Sequence, residues 1–230
     1  MRRATRILGL ALIVAGVLLL AWVVVVWQWQ DPFTAIYTHV EQRHLAHRYD
    51  KRLASYPQRV LHGDAAATER QIAAEADAYR RTLSTGDPVG RLRIGRIGLN
   101  MIVVQGTDDE TLKKGPGHYE QSGLPGEGHL IYVAGHRTTY LAPFAYINDI
   151  RVGDYVTFSV PYGSFTYRVF RHYIVPSDDL AVLADHGTEV LRLQACHPRF
   201  FATHRYIVDA RLVSVTPAGG HPYTPTTAAS

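Results

Sequence analysis

Residues 7–27 read ILGLALIVAGVLLLAWVVVVW, 21 residues without a charged side chain. At about 1.5 Å per helical residue the run spans the roughly 30 Å hydrocarbon core of a bilayer. Arg2, Arg3 and Arg6 flank it on one side, and Trp22, Trp27 and Trp29 gather towards the other end. Positive charge stays cytoplasmic and indoles favour the interface, so the N-terminus is expected inside and the remaining chain outside. A cleaved signal peptide fits poorly. Its apolar region is about 7–15 residues long, and here Trp-Gln-Trp-Gln follows where small residues would mark a cleavage site. The expectation is an uncleaved, single-pass anchor in the plasma membrane.

The anchor also absorbs the charge. Of the formal net charge of +4, the arginines of the first six residues supply three units, leaving +1 for everything else. That basicity is an orientation signal, not a nucleic-acid surface. With 47% apolar and 19% charged residues the chain is globular, not disordered. A single cysteine excludes an internal disulfide framework and a Cys-rich zinc site. The 12 histidines come without HxxxH or CxxC spacing, so neither a metal nor another cofactor is expected.

Residues 1–29 are therefore assigned to the cytoplasmic N-terminus and anchor, and residues 30–88 to an extracytoplasmic helical stalk able to pack on the domain beyond it. Within it AATERQIAAEADAYRRTL places Ile72, Ala76, Tyr79 and Leu83 at helical spacing, and Pro57 and Gly63 divide the region in two. After Gly86-Asp87-Pro88 the texture becomes β. Seven or so strand-like runs in residues 89–215 predict an all-β domain and suggest a closed barrel more than a sandwich, between which periodicity alone does not decide, with short helices only near 142–148 and 180–184. Residues 216–230, rich in Pro, Thr, Ala and Gly, are expected to be a disordered tail.

Cys196 ends the strand-like run EVLRLQA, and His197-Pro198-Arg199 follows it. Free cysteine is commonly a buried hydrophobe, but cationic surroundings favour a reactive thiolate. His136 follows the strand HLIYVAG directly. His197 is nearer in sequence, yet neighbours on extended backbone point to opposite faces, so an imidazole from another strand is the better partner. Arg205 begins the last strand, where it could hold a substrate backbone or an oxyanion, and Arg199 is its rival. A thiol, an imidazole and a guanidinium on three strand ends suit thiol acyl transfer.

AGHRTTYLAPF at 134–144, LQACHPRF at 193–200 and Arg205 nine residues after Cys196 occur in an order that resembles the sortases, membrane-anchored cysteine transpeptidases of Gram-positive cell surfaces. GPGHY at 115–119 most resembles class E, the housekeeping type. The resemblance implies an eight-stranded barrel and cleavage of the Thr–Gly bond of a C-terminal LPxTG- or LAxTG-like sorting signal. Cys196 would be the nucleophile, His136 the acid and base, and Arg205 the oxyanion or peptide holder. A cell-wall precursor amine would resolve the thioester. By the same resemblance Tyr119 and Ala195 would contact substrate.

The family usually carries threonines where Arg192 and Ala195 stand, a departure that bears on the recognised signal. It also motivates an alternative, a catalytically silent, membrane-tethered peptide-binding protein. Asp31-Pro32-Phe33 resembles the lid tripeptide of pilin-polymerising sortases but abuts the anchor.

Overall fold

From position 88 onwards apolar residues alternate, and a period of two puts them on one face of a strand. The computed structural model describes residues 2–29, 32–57 and 64–226 and folds this pattern into eight strands. They are β1 (Pro88–Ile94), β2 (Leu99–Gln105), β3 (Gly117–His118), β4 (Leu130–Gly135), β5 (Tyr155–Val160), β6 (Gly163–Pro176), β7 (Val190–His197) and β8 (His204–Pro217). They close into a barrel in the order β1-β2-β3-β4-β7-β8-β6-β5. Pairs are antiparallel except β2/β3 and β4/β7. Leu92, Ile131, Val133, Phe158, Phe165, Leu191, Leu193 and Val208 are fully buried in its core. β3 was not expected, because two residues are too few to display a period.

Four α-helices accompany the barrel among the described residues. α1 (Arg2–Trp29) contains a 22-residue stretch, Arg3–Val24, of mean hydropathy 2.9 with none of it buried against the protein. It is long and apolar enough to cross a membrane. α2 (Pro32–Ser55) and α3 (Ala65–Arg80), in the region read as a stalk, lie against the barrel. Asp64 caps α3 by accepting from Ala67 N at 2.8 Å, and the predicted stripe Ile72, Ala76 and Tyr79 enters the main core. α2 sets Leu45 and Tyr49 on Ile102 and Val104. Its Gln42 amide accepts from Ile102 N at 2.8 Å and donates to Ile102 O at 3.0 Å, replacing ladder bonds that short β3 cannot reach. α4 (Asp109–Leu112) is a single turn capped by Asp108.

Residues 142–148 form only part of a 3-10 turn, Ile147–Asp149, and the second expected helix is the 3-10 turn Leu180–Leu183. The described part of the segment expected to be a disordered tail makes contacts with the barrel and α3. Tyr223 bridges to Val215, and Thr226 donates from its backbone and hydroxyl to Glu69 of α3 at 2.7 and 2.8 Å. Proline removes donors at 217, 222 and 225, but Tyr223 packs against the core, an attraction that composition does not record. Residues 227–230, and Asp31 of the Asp31-Pro32-Phe33 tripeptide, lie outside the described residues.

Candidate active site

β7 alternates strictly. Leu191, Leu193 and Ala195 belong to the barrel core, so Arg192, Gln194 and Cys196 face outwards. The strand register arranges that outer face in three rows. Tyr132, Arg192, Asp209 and Arg171 form one, Ala134, Gln194, Ile207 and Tyr173 the next, and Cys196, Arg205 and Val175 the last. The loop joining β6 to β7 folds over this floor through Val182, which packs with Tyr132, Ala134 and Ile207. Floor and loop enclose a cleft of about 390 Å³ whose lining includes Tyr119, His136, Cys196 and Arg205. That volume suits a few residues of peptide.

His136 leaves β4 after Gly135, where glycine has a steric reason. A Cβ at 135 would lie 2.7 Å from the buried Phe144 ring. The chain then turns through Tyr140, Leu141 and Ala142 at φ of 54°, 59° and 35°, three consecutive left-handed non-glycine residues. Each costs on the order of 1–3 kcal/mol and persists only where the surroundings hold it. Here Phe144 N donates to His136 O at 3.0 Å and Tyr140 N to Thr34 Oγ1 of α2 at 3.1 Å. The Tyr140 ring lies 5.3 Å from the imidazole. Burial lowers the His136 pKa and favours the neutral ring; Asp109 opposes this and Lys113 adds to it. Its Nε2 is shielded from solvent and makes no hydrogen bond among the described residues.

Cys196, the only cysteine, is half-buried and sits opposite Arg205 in register. Arg205 donates Nη1 to the carbonyls of Ala202 at 2.8 Å and His204 at 3.0 Å, which ties it to the β7–β8 loop. Tyr119 packs edge-on against Tyr132 at 6.1 Å and donates its hydroxyl to Gln121 Oε1 at 2.8 Å. Cys196, His136, Arg205 and Tyr119 are thus brought together. Ala195 also lines the cleft, although it is 1% exposed and its methyl belongs to the core cluster on the opposite side of β7 from Cys196. His197 leaves the site, its Nδ1 accepting from Arg137 Nη1 at 2.9 Å.

Arg137 had no role in the sequence reading. It is buried, and its Nη1 also reaches the Cys196 carbonyl at 3.2 Å, joining the strand end that bears the imidazole to the one that bears the thiol. Its place beside His136 was the only signal. Among the described residues no cluster of His, Cys, Asp and Glu could hold a metal.

The closed barrel thus presents its one thiol in a cleft that an imidazole and a guanidinium also line. Residues 92–213, just over half of the chain, match the Sortase domain, and the chain belongs to the sortase family. Sortase D of Bacillus subtilis (strain 168) is 35% identical over 134 residues, which are 56% of this chain and 66% of that protein, just under two thirds of its length. Sortase E from Streptomyces avermitilis superposes with a TM-score of 0.53 at 33% identity, covering 59% of this chain and 94% of that one. A Clostridium perfringens Sortase D5 transpeptidase shares the fold, with a TM-score of 0.62 at 21% identity over 76% of this chain and 99% of the other.

Proposed function

We propose that the protein is a cysteine transpeptidase of the thiol peptidase class that cleaves an LPxTG- or LAxTG-like sorting signal between Thr and Gly. The observation that carries this reading is the convergence of His136, Cys196 and Arg205 from β4, β7 and β8 on one peptide-sized cleft. The Cys196 thiolate attacks the threonine carbonyl carbon, and Arg205 supports the developing oxyanion or the peptide backbone. His136, having taken the proton of the Cys196 thiol, gives it to the leaving glycine nitrogen as the C–N bond breaks, leaving a thioester. An amine of a cell-wall precursor then attacks the thioester, gives its proton to His136 and expels Cys196 as the thiolate with which the cycle began.

GPGHY and the likeness to a sortase E favour a class E preference, with Tyr119 near the second residue of the signal. The positively flanked α1 supports a cytoplasmic N-terminus and a barrel outside the plasma membrane. The silent-binder alternative, motivated by alanine in place of threonine at position 195, predicts peptide binding without turnover. In detergent, the full chain should cleave fluorogenic LPxTG or LAxTG peptides, and Cys196→Ala should abolish both turnover and capture of acyl-enzyme. Undiminished cleavage by Cys196→Ala overturns the reading.

A further inference from the structure

The row of the cleft floor farthest from Cys196 holds buried charges that this chemistry leaves unused. Arg192 is 4% exposed and Asp209 0%. Arg192 donates Nε to Asp209 Oδ1 at 2.6 Å and Nη2 to Oδ2 at 2.9 Å, and Arg171 of β6 donates Nε to Oδ2 at 2.8 Å. A third donor of Arg192, Nη1, bonds the carbonyl of Val182 in the Leu180–Leu183 turn. Leu180, Val182 and Leu183 of that turn line the cleft.

Two residues of strand advance roughly 6.6 Å, so Arg192 lies on the order of 13 Å along β7 from Cys196. An extended five-residue peptide spans about 17 Å. A signal peptide bound at the thiol and laid along the floor therefore reaches the turn that Arg192 holds. As a source of stability the buried pair is poor, because an apolar pair of similar volume avoids its desolvation. What an apolar pair cannot do is grip a carboxylate and a loop carbonyl at once. The guanidinium fork can, and an ammonium cannot match both directions.

We propose that Arg192 is a positioning residue. Oriented by Asp209, it fixes the Leu180–Leu183 turn as the end wall of the cleft and sets affinity for the distal part of the peptide. The proposal rests on the transpeptidase reading, and it gives the residue standing in place of the family's usual threonine a task in binding, away from the reacting atoms.

The test is steady-state kinetics on LPxTG and LAxTG peptides with the full chain in detergent, alongside melting temperature and the rate of Cys196 alkylation by iodoacetamide. Arg192→Lys and the double variant Arg192→Met/Asp209→Leu are compared with wild type; the double change leaves no unpaired buried carboxylate. Both should raise KM by about tenfold, the worth of one charge-assisted hydrogen bond, with kcat and alkylation within about twofold of wild type. Wild-type KM in either variant, at a wild-type melting temperature, overturns the proposal, as does a loss confined to kcat. Should the double variant not fold, Arg192→Lys, which keeps the charge, decides alone. A wild type that turns over neither peptide overturns the transpeptidase reading and the proposal with it, a result distinct from variants that keep wild-type KM.

Discussion

Ala195 and Cys196 are adjacent on β7 and both line the cleft, but the Ala195 methyl packs in the barrel core. Exchanging Ala195 for Ser should therefore lower the melting temperature, since it buries a hydroxyl, and leave peptide choice alone. The ratio of kcat/KM between LPxTG and LAxTG peptides should stay within about twofold of wild type, and a larger change would mean that the side chain at 195 acts on the peptide. His118 is the other residue whose surroundings set its chemistry. It is fully buried, with Nε2 2.9 Å from the Gly123 carbonyl and Nδ1 2.9 Å from the Gln105 amide. Burial holds its pKa at about 4, below its ordinary 6.5. Between those values the unfolded chain takes up a proton that the folded chain refuses. The stability His118 contributes is thus complete above about pH 6.5 and is lost as pH falls towards 4, by up to about 3 kcal/mol. Urea midpoints followed from about pH 7 to 4.5 should decline less steeply in His118→Gln than in wild type. Parallel declines would refute the assignment.

At the scale of elements, α2 acts as a strap across the segment that carries His136. Thr34 accepts from Tyr140 N, Tyr37 meets the Tyr140 ring edge-on at 6.4 Å, and Thr38 donates to Lys113 O at 2.6 Å. Three consecutive left-handed residues follow His136, so their backbone needs outside support. The double change Thr34→Ala/Tyr37→Ala removes a hydrogen bond worth about 1 kcal/mol and an aromatic contact worth about 0.5–1.5 kcal/mol. It should lower kcat for peptide cleavage by up to about tenfold and the melting temperature by several degrees. Unchanged kcat would mean that the loop holds itself. The strap could not be read from α2 alone, because its partners are more than seventy residues away in sequence.

For the whole molecule, the three N-terminal helices differ in what they bury. The Arg3–Val24 stretch of α1 buries nothing against the barrel, whereas α3 sends Ile72, Ala76 and Tyr79 into the main core and α2 covers Ile102 and Val104. A chain beginning at Gln30 should melt at the same temperature as the full chain and cleave peptide as fast in solution. One beginning at Ser84 exposes several apolar side chains, each worth about 1.5–3 kcal/mol, and should be unfolded or melt far lower. Circular dichroism of the two truncations decides this. A stable barrel without α2 and α3 would restore them to the status of a stalk.

By itself the sequence determined whatever rests on local order. An uncharged apolar run fixes a helix of membrane-spanning length, a period of two fixes strands β1, β2 and β4 to β8, and the motifs around His136, Cys196 and Arg205 fix the family. Only the tertiary structure decided which side of β7 each residue faces, that the helices and the described C-terminal segment pack on the barrel, and that Arg137 and Arg192 reach across to other elements. The physical reason is one of range. Periodicity and capping act within a few residues, whereas a buried arginine's partners are set by strand register and loop path, which exist only once the barrel has closed.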